Sequence, residues 1–527
     1  MVTKIWRQKD GIVMRSKKRG FTIGLLGLAA AFIVVAGCAP LGLVPEAKKP
    51  KARYHVEPEF KTFTLAEVPV KWDDIKPTTV TLFYPAQASW HYLTEPQPGF
   101  THPGADAIKA GMSCRTCHRA GGAAPDEKAL GQALVNSKRI EGQPIAGKRP
   151  FVDLKVKAAY DATDIYFWLQ WESEEPGVYH NVLKFDGKTG KWEGFGGAKP
   201  DKSPGLYEDR LTFMIGHKKG SPGYVTAHAD TKVGFQEVGC FLTCHNSMRK
   251  MPYDASGNVK AIQQVFPKEI EITKYLLVTR KSGQAGDPKE LKGITEAEGQ
   301  WALVRSDTEL KGLRESQKFL DMWMWRAARS GPIGYADDFI VFVSRAGDKG
   351  KGPWERQRAK DLNEAKEHTR MYNPQVVSSG RLAGGTYAIK GGADPLDALK
   401  RQETISFMTS EKDYVIPYDP KVYKPQDGDI LFDRILRKPT ESRGDIQAFG
   451  LFHKEPGEAY GTWTLILKRR LNTGNPGDDI ALKDGEVYPI AFAIHDDHVS
   501  NRRHHVSLEH TIGLGVPADI VAQKVKK

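Results

Sequence analysis

Two short cysteine patterns carry the chemistry that this sequence announces. The first reads Cys114-Arg115-Thr116-Cys117-His118 and the second Cys240-Phe241-Leu242-Thr243-Cys244-His245. A Cys-x-x-Cys-His run is the pattern of c-type haem attachment, in which two thiols form thioethers with the haem vinyls and the adjacent imidazole ligates iron. The spacing has a geometric reason. Two sulfurs must reach two edges of one flat ring while the next residue turns under its centre, and a short helical turn delivers all three groups to one face. The second pattern has one more residue between its cysteines and reads as a variant of the same site. Two haem c groups are therefore expected, attached through Cys114, Cys117, Cys240 and Cys244, with His118 and His245 as proximal iron ligands. Disulfides and a zinc site are the other chemistries open to two Cys pairs with adjacent His. Against them, every cysteine after Cys38 stands in a Cys-pair-then-His pattern.

Distal ligands are sought among the histidines. His91 and His102 precede the first motif closely and compete for its haem. Five of the fifteen histidines, His495, His498, His504, His505 and His510, lie within sixteen residues near the carboxyl terminus, and of these His495, His498, His504 and His505 are the distal candidates. The other reading of each is a polar loop satisfied by its neighbours. Met112 is a weaker choice, since its side chain would have to reach the opposite face of the ring. No acid–base constellation marks a catalytic residue.

Strands dominate the elements that must position these groups. Val152, Leu154, Val156 and Ala158 alternate with polar residues, a turn follows at Asp161 to Asp164, and Ile165, Phe167, Leu169 and Trp171 alternate again, which predicts a hairpin. Val80–Tyr84, Arg210–Ile215, Phe339–Val343, Trp463–Arg469 and Pro489–Ile494 supply further strands. The fold class expected is mainly β: an antiparallel β-sandwich with haem-bearing loop insertions and a few short helices. Asp321–Arg329 reads as a short helix closed by Ser330-Gly331-Pro332, and the charged stretch Gly347–Asn373 as a solvated helical insertion. Long surface insertions are expected over 251–300 and 374–430.

The amino terminus reads as an address. A basic segment from Met14 precedes the 16-residue apolar run Phe21–Ala36 and then Gly37-Cys38, short for a bilayer span of about 20 residues. Val35-Ala36-Gly37-Cys38 resembles the lipobox of bacterial lipoproteins, which would make Cys38 the lipidated residue; an uncleaved amino-terminal helix is the alternative. The expected organisation is an export signal over 1–37, a tether over 38–75, a first haem segment over 76–150, and a haem-binding sandwich over 151–527 with insertions near 251–330 and 346–430. The expected location is outside the cytoplasm, periplasmic or at the cell surface, with a membrane anchor. Of the net charge of +13, the first 37 residues carry seven basic and one acidic group, leaving +7 for the remainder. That balance suits docking to an acidic redox partner or anionic lipid better than a dedicated nucleic-acid binder.

Val156-Lys157-Ala158-Ala159-Tyr160-Asp161 running into Ile165-Tyr166-Phe167, then Glu208-Asp209-Arg210-Leu211, Gly239-Cys240 to Cys244-His245, Asp321 to Trp325, and Ala491 to His498 with His504 to Leu508 form an ordered set. Over roughly residues 78–515 it resembles the ethylbenzene dehydrogenase-related haem-binding domain family. The resemblance implies a β-sandwich that carries haem between its sheets and transfers electrons, in some members as the gamma subunit of a periplasmic molybdenum enzyme. Those subunits hold a b-type haem through Met and Lys, whereas the cysteine motifs here place the chain with a c-type, di-haem branch. The function expected is a di-haem cytochrome c passing electrons between a membrane quinol-oxidising donor and a redox acceptor. The alternatives are a haem-dependent reductase of a small oxyanion and a gamma-type subunit of a molybdenum oxidoreductase.

Overall fold

Alternating apolar residues build long strands, and the strands join into one sheet that doubles back on itself. In the computed structural model the described residues are 67–85, 93, 101–135, 149–174, 176–180, 182–195, 208–226, 233–244, 276–286, 301–343, 345–356, 365, 368–373, 409–410, 415–454, 458–496 and 504–526. They belong to a compact unit spanning Ala52–Lys527. The sheet contains β1 (Thr78–Phe83), β2 (Phe151–Tyr160), β3 (Asp164–Ser173), β4 (Arg210–Ile215), β5 (Leu320–Arg326), β6 (Asp337–Val341) and β7 (Arg345–Gly347). It continues with β8 (Thr409–Ser410), β9 (Gln447–His453), β10 (Gly461–Arg470), β11 (Val487–His495), β12 (His505–Val506), β13 (His510–Leu514) and β14 (Ile520–Lys524). Its order is β7-β6-β5-β4-β11-β12-β1-β2-β3-β10-β9-β8, and β13 with β14 forms a second bridge from β11 to β2. Pairs β2–β14 and β13–β14 are parallel, and the other pairs in this sheet are antiparallel.

The fold-over makes the sandwich. Phe167 on β3 meets Phe213 on β4 at 5.0 Å, and Trp463 on β10 meets Trp325 on β5 at 5.0 Å between ring centroids. Strands β4, β5 and β11 therefore form one layer and β2, β3 and β10 the other. The space between them is filled by aromatic side chains, Trp171, Trp323, Trp325 and Trp463 among them, with almost no exposure. The expected mainly β architecture and the β2–β3 hairpin are observed, the latter with Val156 opposite Leu169 and Ala158 opposite Phe167.

Two expectations are corrected. Asp321–Arg329 is not a helix: Leu320–Arg326 is a strand between β4 and β6. Every residue in it is buried, because both faces of this layer are covered, so the polar–apolar alternation of a half-exposed strand is missing. What alternates is residue type. Trp323 and Trp325 point into the sandwich core, and Met322 and Met324 into a second apolar cluster on the outer face.

Gly347–Asn373 is not a solvated helical insertion over its described residues. Trp354–Arg356 pairs with Arg434–Leu436, and Arg370–Tyr372 enters a separate five-stranded sheet with Val415–Pro417, Ile430–Phe432, Val182–Asp186 and Lys191–Phe195. Tyr372 stacks on Phe432 at 4.1 Å, and Trp354 lies under the guanidinium groups of Arg329 and Arg434. Aromatic burial and cation–π packing outweigh the local charge in deciding the conformation.

Four α-helices serve the discussion of the site: α1 (Ala105–Lys109), α2 (Glu127–Val135), α3 (Phe235–Cys244) and α4 (Asp307–Glu315). No helix among the described residues is long and apolar enough to cross a membrane. The export signal with Cys38 lies outside the described residues, as do 251–275, 287–300 and 374–408 of the expected surface insertions; of the remainder, Leu320–Arg326 and Val415–Pro417 are strands of the large and the five-stranded sheet.

Candidate functional site

The first cysteine motif forms a single tight turn. Cys114–Thr116 is a 3-10 turn continued by Cys117 in the right-handed helical region, and the N–H groups of Cys117 and His118 both donate to the Cys114 carbonyl, at 3.1 and 2.9 Å. This is the local conformation the spacing calls for. Cys114 is buried, and burial pushes its thiol well above the usual range. Cys117 and His118 are half-buried. His118 Nδ1 lies 2.7 Å from the Pro125 carbonyl oxygen. A carbonyl only accepts, so Nδ1 carries the proton and Nε2 is left with its lone pair, the arrangement that orients a metal-ligating imidazole. The intervening loop closes because Gly121 adopts φ +74° and because a Cβ on Gly122 would stand 2.3 Å from the Cys117 carbonyl oxygen.

His102 faces this turn. Its ring centroid is 6.0 Å from that of His118, with the planes inclined by 35°. Two imidazoles bonded to one iron through nitrogens at about 2 Å hold their centroids about 6 Å apart, so the separation fits a shared metal. Burial, and then the neighbouring His118, lower the pKa of His102 and keep it neutral. Its Nδ1 is buried with no hydrogen-bond partner among the described residues. Met112, by contrast, is turned to solvent. His91 lies outside the described residues.

The second motif rides on α3. Cys240 and Cys244 are four residues apart in the carboxyl-terminal half of that helix. Cys240 is buried; the Cys244 side chain and His245 lie outside the described residues. The residue before Cys240 breaks the helix: Gly239 has φ 57° and ψ −153°. A Cβ there would stand 2.7 Å from the Glu509 nitrogen and 2.8 Å from the Leu508 carbonyl carbon. Only glycine lets α3 seat on this segment. Glu237 ties the amino end of α3 by accepting from the Gly234 N–H and the Tyr224 hydroxyl, both at 2.7 Å.

The same segment holds the first motif. Glu509 Oε1 accepts from the Arg115 N–H at 2.8 Å and from the Ser113 hydroxyl, and the Glu509 carbonyl accepts from Arg115 Nη1 at 3.3 Å. Arg115 also pairs with Asp519 at 3.0 Å. Leu508–Glu509 is thus a common seat for two motifs more than a hundred residues apart in the chain, and Cys114 and Cys240 line one apolar cluster with Phe83, Met214, Met322 and Phe241. This cluster covers the outer face of β4, β5 and β11. The cysteines therefore stand outside the sandwich rather than between its layers, where packed indoles leave no space. Ala491 and Ala493 present small side chains on that outer face, and α3 packs on β11.

The terminal histidines divide. His495 and His504 are buried and stacked, with centroids 4.3 Å apart. His505 has Nδ1 3.0 Å from Asp496 Oδ1 and Nε2 2.8 Å from the Arg149 carbonyl, so both its ring nitrogens are engaged in a buried network that also pairs Arg149 with Asp496. Burial, and then Arg115, bring the pKa of His510 down to about 4. His498 lies outside the described residues. Glu509 escaped the sequence reading, and Gly239 entered it only as part of a motif. A lone Glu has no spacing signal, and the glycine becomes telling only once its contact with Glu509 is known.

A bent, mainly antiparallel sheet with two cysteine-bearing turns on its apolar outer face defines the class of protein. A family model described as Ethylbenzene dehydrogenase matches residues 70–507, and the chain belongs to the ethylbenzene dehydrogenase family. It is also similar to cytochrome c-552 of Stutzerimonas stutzeri, 26% identical over 253 residues, which cover 47% of this chain and 71% of that protein.

Proposed function

We propose that the chain is an exported, lipid-anchored di-haem c-type cytochrome that carries electrons between a membrane quinol-oxidising donor and a redox partner. Family membership and the likeness to a cytochrome c-552 support a haem-linked electron-transfer role. The observation that carries the finer reading is that Cys114 and Cys240 line one apolar cluster on a shared seat. Bound haem supplies one-electron chemistry at iron, with the potential set by ligands, burial and nearby charge. The chain's own contribution is positional. His118 is held in one tautomer by Pro125, His102 is kept neutral by burial, and the apolar cluster excludes water from Cys114 and Cys240. On this reading His118 and His245 are the proximal ligands, and His102 is the distal ligand of the first haem. Within the family, the gamma-type role beside a molybdenum oxidoreductase is one form the partnership can take.

The test is the mass and visible spectrum of the mature protein from a host with cytochrome c maturation, beside Cys114→Ala and Cys240→Ala variants. Two covalent haems, one lost with each substitution, are expected. One haem insensitive to Cys240→Ala reduces the second motif to a structural element, and a colourless protein refutes the reading.

A further inference from the structure

A second polar site lies across the sheet from the cysteine motifs. On β5, Asp321 falls on the same face as Trp323 and Trp325, and on β6, Asp338 falls on the face of Ile340, so both belong to the inner side. Asp479, from the connection between β10 and β11, completes a buried trio with one carboxylate oxygen of each residue within 4.8 Å of the others. Asp348, just after β7 and only 4% exposed, joins them at Asp338.

The hydrogen bonding in this group is lopsided. Arg469 Nη1 donates to Asp321 at 2.6 Å and to Asp479 at 2.9 Å. Asp321 also accepts from the Trp323 indole and the Ile480 N–H, and Asp479 from Thr473. None of the four oxygens of Asp338 and Asp348 receives a hydrogen bond from a donor group among the described residues; these two carboxyls face each other. The nearby Arg443 spends its Nε and Nη2 on Asp337, at 3.1 and 2.8 Å. Arg469 inside the group, with the Arg443 charge acting from its edge, thus stands against four buried carboxylates. Buried charge of this kind is held only by a counter-charge or by protons.

We propose that Asp338 and Asp348, with Asp479 and Asp321, bind one calcium ion. The donor set is oxygen only, it can carry several formal charges, and Asp338 and Asp348 supply four oxygens that no donor group of another residue type satisfies, as a hard cation with six to eight oxygen ligands requires. The site would tie the β5–β6 edge of one layer to the loops that follow β7 and β10. Burial, and then repulsion from Asp321 and Asp479, push Asp348 up to about 9, and burial pushes Asp479 up to about 7 against the pull of Arg469, the direction that a bound cation reverses. The haem motifs are not involved, so the inference does not depend on the proposed function.

The experiment uses the full-length protein as purified. Its metal content is measured, it is dialysed against EDTA and then chelator-free buffer, and calcium chloride or magnesium chloride is titrated in by calorimetry. One calcium per chain, with a rise in Tm that EDTA reverses, is the expected result. The Asp338→Asn, Asp348→Asn double variant should lose both the binding heat and the Tm response while its far-ultraviolet and visible spectra stay unchanged. If that variant fails to fold, the stoichiometry and the EDTA sensitivity of the unsubstituted protein decide the matter. Absence of binding heat together with an EDTA-insensitive Tm overturns the proposal and leaves the carboxyls as a proton-holding pair. Equal binding of magnesium overturns the assignment to calcium.

Discussion

Replacing Glu509 by Gln probes the seat on which the two cysteine motifs converge. The carboxyl is buried, and burial pushes its pKa up to about 8 from an ordinary 4.5, although the bonds from Ser113 and the Arg115 N–H pull the other way. Below the ordinary value the group is neutral in both folded and unfolded chains. Between the two values only the folded chain keeps the proton, so the stabilisation is complete at low pH and is lost as pH rises through about 8. At ~1.36 kcal/mol per unit, the loss between about pH 5 and about pH 9 is on the order of 4 kcal/mol. For a body of this size that corresponds to roughly 4 °C in Tm. Glu509→Gln keeps an oxygen acceptor for Ser113 and Arg115 but cannot titrate, so it should lack this part of the pH dependence. Scanning calorimetry across that pH range, on both proteins under identical metal and salt conditions, makes the comparison. The buried Asp338, Asp348 and Asp479 titrate in both, and the difference between the curves isolates Glu509. Parallel curves would refute the assignment of a buried, proton-holding carboxyl to this seat.

Three further outcomes follow from packing and site geometry. Gly239→Ala introduces a Cβ 2.7 Å from a backbone nitrogen at a positive φ, so denaturant unfolding should register a loss of about 3 kcal/mol; an unchanged midpoint would mean that α3 seats elsewhere. Trp463→Ala empties a site between Trp171 and Trp325 in the sandwich core and should cost about 3–5 kcal/mol by the same assay. His102→Ala should convert one low-spin haem to a high-spin form in the visible spectrum while both haems stay attached. A fully low-spin spectrum in that variant would move the distal ligand to another residue, with the stacked His495 and His504 first to be tested.

The sequence by itself determined what is local. Covalent spacing makes Cys114 to His118 legible because three groups on one turn need no distant partner, and period-two alternation makes the β2–β3 hairpin legible because one face of each strand is consistently apolar. The same logic misread Leu320–Arg326. With both faces covered, Met-Trp-Met-Trp is apolar at every position and suits helix and strand alike, until pairing with β4 and β6 selects the strand. Tertiary structure alone decided where the motifs meet. The bond from Ser113 to Glu509 joins residues 396 positions apart, and the use of Gly239 depends on a neighbour that only folding brings near. The same holds for Asp321, Asp338, Asp348 and Asp479, which are unremarkable acids along the chain. They form one polar site because the fold buries them together with fewer donors than they have acceptors.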